Sequence, residues 1–240
     1  VYVGKKGLAC KSMGFNHKDI LLPATTSKQE LLGIIRTLNS DEGINGILVQ
    51  KPLPKSCDGA DVFDSISAAK DVDCFSPVNV GLLTQGRPLF QPCTPSGVMH
   101  ILKHYKIEIS GCNALVIGRS DIVGKPMASL LLNASATVHI AHSKTKNLSE
   151  LVAMSQIVVA AVGKPKILDG SLPWRKDATV IDVGINRTAD GKLVGDVDFA
   201  SVSKVVRAIT PVPGGVGPMT IACLMENIIL ATERQSGDYL

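Results

Sequence analysis

The chain has 240 residues, 45% of them hydrophobic and 19% charged, with a formal net charge of +4. That length and apolar content can bury one large core or two modest ones, and no apolar run approaches the ~20 residues of a membrane span. Dispersed basic residues, with only five Phe, three Tyr and one Trp, argue against a nucleic-acid surface built on stacking and phosphate contacts and for small anionic ligands.

Tyr2 to Gly14 predicts a helix stopped by the glycine. Ser27, with Glu30 three residues on, forms a capping-box pattern ahead of the apolar stripe Leu31, Ile34, Ile35 and Leu38, so a second helix follows. Ile44 to Val49 predicts a short buried strand, ended at Gln50-Lys51-Pro52-Leu53-Pro54 because two prolines prevent further pairing. A helix near Ala60 to Ser67 leads into Lys70-Asp71-Val72-Asp73. Pro77 to Pro95 is rich in turn residues and reads as an irregular region, long enough to predict a functional lining. Gly97 to Tyr105 predicts a helix. From Ala114 onward, strands at 114–117, 137–141, 157–161, 179–183 and 205–209 alternate with helical patterns, which predicts an α/β fold with a parallel sheet. A last helix, about Pro218 to Glu233, is apolar nearly all round through Ile221, Leu224, Met225, Ile228 and Ile229, so it must pack back against another part of the chain.

Gly118-Arg119-Ser120-Asp121-Ile122-Val123-Gly124-Lys125-Pro126 joins the run Ala114 to Ile117 to a helical pattern beginning at Met127. A strand ending at Gly118 can turn tightly and aim the next helix's unpaired N–H groups and positive dipole end at a phosphate. The GxGxxG spacing is broken, since Ser120 and Val123 stand at the second and third glycine positions and Gly124 comes one residue late. The strand-turn-helix context carries the reading, with Pro126 in an early helical turn and a second strand at βαβ distance. No Asp or Glu closes that strand to bond a ribose 2′-hydroxyl; Ala141-His142-Ser143-Lys144 does, and Arg119 lies in the turn. Cations and hydroxyls there favour NADP over NAD, the plainer alternative being that Arg119 and Lys144 are solvated loop residues. The later strands end in Val162-Gly163-Lys164-Pro165, Gly184-Ile185-Asn186 and Thr210 to Gly215, and carboxyl ends of parallel strands are where such sheets bind ligands. Asp182, in a run of Val and Ile, is expected to be structural and to accept backbone hydrogen bonds.

The six cysteines, at 10, 57, 74, 93, 112 and 223, form no CxxC pair and fall within apolar patterns. Buried thiols in a reducing compartment are expected rather than disulfides or a metal site, so the cytoplasm is the expected location, with the mitochondrial matrix as alternative. The chain opens on Val1 and carries no signal-peptide pattern, which leads us to expect that the native N-terminus, and any targeting segment with it, precedes this sequence.

Several motifs together, running from residue 2 to about 230, resemble the bifunctional methylenetetrahydrofolate dehydrogenase/methenyltetrahydrofolate cyclohydrolase family. They are Tyr2-Val3-Gly4-Lys5-Lys6, Gly46 to Gln50 with Pro52-Leu53-Pro54, Lys70-Asp71-Val72-Asp73, Cys93-Thr94-Pro95-Ser96-Gly97, Gly118-Arg119-Ser120 with Val123-Gly124, His142-Ser143-Lys144-Thr145, Val180 to Asn186, and Pro211 to Thr220. The last is the most specific. The resemblance implies a folate-binding catalytic domain over 1–98, a Rossmann-like NADP domain over 99–212, and a C-terminal segment and helix over 213–240 returning to the catalytic domain. It also implies oxidation of 5,10-methylenetetrahydrofolate with NADP and hydrolysis of the methenyl product to 10-formyltetrahydrofolate, a multifunctional step of one-carbon metabolism that serves purine biosynthesis.

The catalytic residues so implied are Lys6, Gln50 and Asp73. Tyr2 and Lys6 stand four apart and share a helix face, so a ring can stack on the folate while the ammonium reaches the reacting atoms. Gln50 would hold Lys6, and Asp73 would bind the pterin edge, whose paired N–H donors suit a carboxylate; Asp71 would brace the loop. Val49, Pro52, Leu53, Pro213, Gly214 and Gly215 complete the implied substrate site. Thr94, Gly118, Arg119, Ser120, Val123, Gly124, His142, Ser143, Gly184, Ile185 and Thr220 make the implied cofactor site. Cys74 stands where the family's pattern has glycine, and Lys51, where it has an apolar residue, is expected to point to solvent, the alternative being that it raises the positive potential beside Lys6. The implied partners are tetrahydrofolate one-carbon derivatives and a second copy in a homodimer, with neither nucleic acid nor membrane. The family carries a further segment ahead of the tyrosine, so the alternative is a truncated, inactive homologue that binds folate or nucleotide only. Another NADP-linked oxidoreductase remains in play only if Lys6, Gln50 and Asp73 prove distant in space.

Overall fold

The computed structural model describes residues 2–57 and 59–237, and the side chains of residues 2 and 3 lie outside that description. Its contacts divide the chain into two units, residues 1–93 with 221–240 and residues 94–220.

Unit 1 is mostly helical. Its elements are α1 (Tyr2–Ser12), α2 (Lys28–Ser40), α3 (Ala60–Asp64) and α4 (Pro77–Thr84). The Ser27 capping box is present, with Ser27 Oγ accepting from Glu30 N–H and the Glu30 carboxylate accepting from Ser27 N–H. Leu31 and Ile35 turn their side chains into a cluster with Ile47, Val62, Phe63 and Ile66. Ile44 to Val49 does not form the expected ladder. Among the described residues it makes one isolated parallel bridge, Ile47 to Asp71, with Ile47 N–H donating to Lys70 O at 2.7 Å. An apolar run can be buried without a neighbouring strand to pair with.

The expected irregular stretch from Pro77 to Pro95 is also corrected. Pro77 is the first residue of α4, with Ser76 as its N-cap, and α5 (Cys93–His104) begins four residues earlier than predicted, taking Pro95 into its first turn. Proline punctuates a chain but also starts helices, where its missing N–H costs nothing.

Unit 2 follows the predicted alternation as far as β3, but among the described residues no helix stands between β3 and β4. After α5 come β1 (Asn113–Ile117), α6 (Gly124–Asn133), β2 (Thr137–Ala141), α7 (Leu148–Met154), β3 (Ile157–Ala160), β4 (Thr179–Asp182), β5 (Asn186–Arg187), β6 (Leu193–Val194), α8 (Phe199–Val202) and β7 (Ala208–Ile209). The sheet is parallel in the order β2-β1-β3-β4-β7. β3 and β4 are buried along their whole length, as strands covered on both faces should be. The expected strand at 205–209 shrinks to two residues in β7, and the antiparallel hairpin β5–β6 was not foreseen.

The last helix, α9 (Val216–Ser236), gives its first five residues to unit 2 and the rest to unit 1. Cys223, Leu224, Met225 and Ala231 share a core with Cys10, Val72, Cys74, Phe90 and Cys93, so the C-terminal helix completes the N-terminal part as expected. All six cysteines are buried, and none forms a disulfide among the described residues.

Candidate functional site

In unit 1, α1 and the chain after Val49 bring together residues far apart in sequence. Lys6 Nζ donates to Gln50 Oε1 at 3.2 Å, and the Gln50 carboxamide is held in turn by donating from Nε2 to Lys51 O at 2.8 Å. Asp73 is half-buried. Burial pushes its carboxyl above the ordinary range, the nearby Lys6 ammonium and a hydrogen bond from Cys93 oppose that, and the Asp71 charge adds to it. Cys93 Sγ lies 3.5 Å from Asp73 Oδ1. Its own thiol is pushed well up by burial and by the Asp73 charge, so it remains a neutral S–H donor. Lys6, Gln50 and Asp73 therefore share one site, which removes the condition on which a different NADP-linked oxidoreductase depended.

The loop that carries Asp73 is braced on both sides. Asp71 is buried and accepts from Phe75 N–H (3.1 Å), Ser76 N–H (2.8 Å) and Asn79 Nδ2 (2.9 Å), the bracing role expected of it. Asn227 of α9 donates from Nδ2 to Val72 O and to Gln91 O, both at 2.8 Å, fixing the peptides just before Asp73 and near Cys93. Sequence reasoning passed over Asn227; its signal was an amide set among the apolar Leu224, Met225, Ile228 and Ile229. Cys74 has φ +61, a left-handed conformation costing a side-chain-bearing residue about 1–2 kcal/mol, which accounts for the family's glycine at that position.

Val49 and Leu53 are half-buried and pack against the α2–α3 core cluster, while Pro52 is exposed and follows a cis peptide bond. Lys51 is not simply solvated: its Nζ lies 4.2 Å from the centre of the Phe63 ring, a cation–π contact. Tyr2 begins α1, but its side chain lies outside the described residues.

In unit 2 the turn between β1 and α6 is built as a phosphate-binding turn is, with one difference. Gly118 has φ +129, and a Cβ there would stand 2.1 Å from Ala161 O, so only glycine lets the turn cross the end of β3. The N–H groups of Val123 and Gly124 are not free for a ligand; both donate to Ser120 Oγ at 3.3 Å. The backbone N–H groups of residues 119–122 make no hydrogen bond among the described residues. The N–H groups left unpaired among the described residues thus lie earlier in the turn than the helix terminus expected from the motif.

Gly118 N–H donates to Ala141 O at 2.8 Å, so this turn adjoins the end of β2. There His142 N–H donates to Thr145 Oγ1 at 2.9 Å, and Lys144 N–H donates to His142 Nδ1 at 3.1 Å. An accepting Nδ1 leaves Nε2–H as the outward donor of the neutral ring. Arg119, Ser143 and Lys144 are exposed beside it, with no carboxylate among residues 141–147.

Ile185, just beyond β4, leaves 47% of its surface exposed, an apolar side chain available to a flat ring. Thr94 Oγ1 and Thr220 Oγ1 are hydrogen-bonded at 3.0 Å. Pro213 follows a cis peptide bond and Gly214 has φ +102. Asp182 accepts from the N–H groups of Gly184, Asp196 and Val197 at 3.0, 3.0 and 2.9 Å, the structural role expected of it.

Comparison with known proteins gives a consistent result. Residues 1–73 match the family described as tetrahydrofolate dehydrogenase/cyclohydrolase, catalytic domain, and residues 92–236 match its NAD(P)-binding domain. The bifunctional protein FolD of Campylobacter curvus is 54% identical over 235 residues, covering 98% of this chain and 81% of its own length. A crystal structure of the bifunctional enzyme FolD, methylenetetrahydrofolate dehydrogenase/cyclohydrolase, from Campylobacter jejuni is 47% identical with a TM-score of 0.93, covering 97% of this chain and 83% of that one. The Trypanosoma brucei enzyme, crystallised with NADP cofactor and inhibitor, is 40% identical with the same TM-score, covering 97% and 82%.

Proposed function

The chain belongs to the tetrahydrofolate dehydrogenase/cyclohydrolase family, and from that premise we propose that it oxidises 5,10-methylenetetrahydrofolate with NADP and hydrolyses the methenyl product to 10-formyltetrahydrofolate. The observation that carries the reading is the meeting of Lys6, Gln50 and Asp73 in the unit that holds the catalytic-domain match.

Hydrolysis needs proton management. Water adds to the methenyl carbon, one of its protons must leave, and the ring nitrogen must gain a proton as its bond to that carbon breaks. Lys6 Nζ is the group that moves the proton, and Gln50, by accepting from Nζ, fixes where it stands. Asp73 accepts the paired N–H donors of the pterin edge, and Tyr2, four residues before Lys6 in sequence, is the residue that the family motif assigns to the folate. Val49, Pro52, Leu53 and the segment Pro213-Gly214-Gly215 line the substrate.

The first step depends more on positioning than on acid or base, because its product is a cation shared by two nitrogens. NADP, when bound, supplies the hydride acceptor. The unit 2 donor set fits such a group: free N–H groups at residues 119–122 suit a pyrophosphate, and Arg119, His142 and Ser143, with Lys144 beside them, suit a 2′-phosphate where an acid would repel it. Gly118, Ser120, Val123 and Gly124 shape the turn, and Gly184, Ile185, Thr94 and Thr220 complete the site.

A homodimer belongs to the same reading. It is supported by the free edge of the sheet at β2, where Ile140 is exposed, and by exposed Leu132 at the end of α6; sedimentation velocity tests it. Among the described residues no helix is long and apolar enough to cross a membrane, and six buried cysteines outside any disulfide support the cytoplasm as the location.

The deciding experiment is a spectrophotometric assay with methylenetetrahydrofolate and either NADP or NAD. Folate-dependent reduction preferring NADP is expected, with Lys6→Met losing conversion of methenyl to formyl product by at least ~100-fold, the scale of one general acid–base group. Saturable NADP binding without turnover would favour an inactive homologue; the chain spans about four fifths of the Campylobacter curvus relative.

A further inference from the structure

Three consecutive backbone N–H groups in the turn after β3 converge on one buried carboxylate. Val162 and Gly163 donate to Asp196 Oδ2 at 2.5 and 3.0 Å, and Lys164 donates to Oδ1 at 3.0 Å. Successive N–H groups of this kind make a concave anion nest of the sort that binds phosphate. Here the chain fills the nest itself, which leaves anion binding to residues 119–122.

The same carboxylate reaches a second loop. Asn186 Nδ2 donates to Asp196 Oδ1 at 2.9 Å, two residues past Gly184 at the end of β4. Asp196 therefore ties together the loops at the carboxyl ends of two adjacent parallel strands, the edge where such a sheet receives a dinucleotide. It is fully buried, so it acts on a ligand only through those loops. Asp182 stands behind it, accepting from the N–H groups of Asp196 and Val197. The unforeseen hairpin β5–β6 is the device that brings the chain back to place residue 196 there.

The glycines nearby answer to these acids. A Cβ on Gly184 would stand 2.2 Å from Asp196 Oδ1 and 2.7 Å from its backbone nitrogen, and a Cβ on Gly195 would stand 1.8 Å from Asp182 Oδ2. Gly184 is thus required by the buried carboxylate whether or not a nucleotide approaches it.

We propose that Asp196 is a positioning residue of the cofactor site, holding loops 162–164 and 184–186 in the arrangement that accepts NADP, with Gly184 making room for it. This rests on the NADP assignment above, and the unaltered chain tests that assignment separately.

Steady-state kinetics of Asp196→Asn and Gly184→Ala provide the test. Replacing an accepting oxygen with an amide N–H sets donors against donors, so KM for NADP should rise about tenfold or more, while kcat at saturating NADP changes far less. Hydrolysis of methenyltetrahydrofolate, measured without NADP, reports the folded fraction, and its loss should be much smaller than the rise in KM. If both activities fall in step with KM for NADP unchanged, Asp196 is structural only and the proposal is overturned. Should neither variant fold, Asn186→Ala removes one bond of the four and should raise KM for NADP by about two- to threefold; an unchanged KM there overturns the proposal equally. Lack of NADP dependence in the unaltered chain would overturn the cofactor assignment, and with it this inference.

Discussion

Asp73 sits between two opposing influences: burial pushes its carboxyl up, and the Lys6 ammonium pulls it down without cancelling the shift. If the carboxylate form binds the pterin edge, protonating it must weaken substrate capture. The sign follows directly. As pH falls through the raised pKa the free enzyme becomes neutral at Asp73, so kcat/KM for methylenetetrahydrofolate should fall with it, at a pH above the ordinary carboxylate range of ~4. Asp73→Asn should lower kcat/KM and remove that limb; a variant that keeps the same acidic limb would assign it to another group. The shift also bears on stability. A folded-state carboxyl with a raised pKa binds its proton more tightly than in the unfolded chain, so its contribution is full below the ordinary pKa and is lost as pH rises through the raised one. The sequence made Lys6, Gln50 and Asp73 legible because each lies in a specific family motif. It concealed Asp196 and Asn227, whose partners are mostly backbone groups brought in from far along the chain, 34 residues away for Val162 and 155 for Val72, and no side-chain pattern announces such pairings.

The start of α2 was legible and its end was not, for a physical reason. Its N-cap chemistry is local: Ser27 and Glu30 satisfy each other's neighbourhood within one turn. Its other end has no basic residue in the last turn. The helix's orphan carbonyls are met instead by Lys70, buried to 8% exposure, whose Nζ donates to Leu38 O, Asn39 O and Asp41 O at 3.1, 2.9 and 2.7 Å. A cation at a helix C-terminus is favoured by both hydrogen bonding and the dipole. Lys70→Met keeps the apolar stem but strands those carbonyls, so it should cost about 2 kcal/mol. Urea unfolding followed by far-UV circular dichroism would show this as a lowered midpoint, and an unchanged midpoint would mean that water replaces the ammonium. The misread region from 77 to 95 has the same origin. Ser76-Pro77 is a helix-start signal, yet the number of prolines and glycines after it outweighed that signal on a count of turn residues.

At the scale of the molecule, the two units differ in how their backbones are satisfied, and this sets where the chain should open first. Unit 2 is organised on parallel strands, of which β1, β3 and β4 are largely buried, and its first part was readable because β1, β2 and β3 each follow a helix. Unit 1 rests on helices and one isolated bridge. Its segment 16–22 has no backbone N–H hydrogen bond among the described residues and exposes Ile20, Leu21 and Leu22, with Leu21 at 86%. A run of apolar side chains predicts burial only if something covers it, and here the described residues do not. Local opening is easiest where buried contacts are few and backbone hydrogen bonds are exposed or missing. Native-state hydrogen exchange should therefore find amides of 114–117, 157–160 and 179–182 in the slowest class, and those of 16–22 exchanging near the rate of an unfolded chain. Adding NADP should slow the amides of 119–122, which have no partner of their own to protect them, while leaving 16–22 unaffected. Amides 162–164, already held by Asp196, should be protected before NADP is added. Fast exchange at 162–164 without the nucleotide would show that the carboxylate does not hold that turn by itself, and protection of 16–22 comparable with β1 would show that this segment is covered in solution.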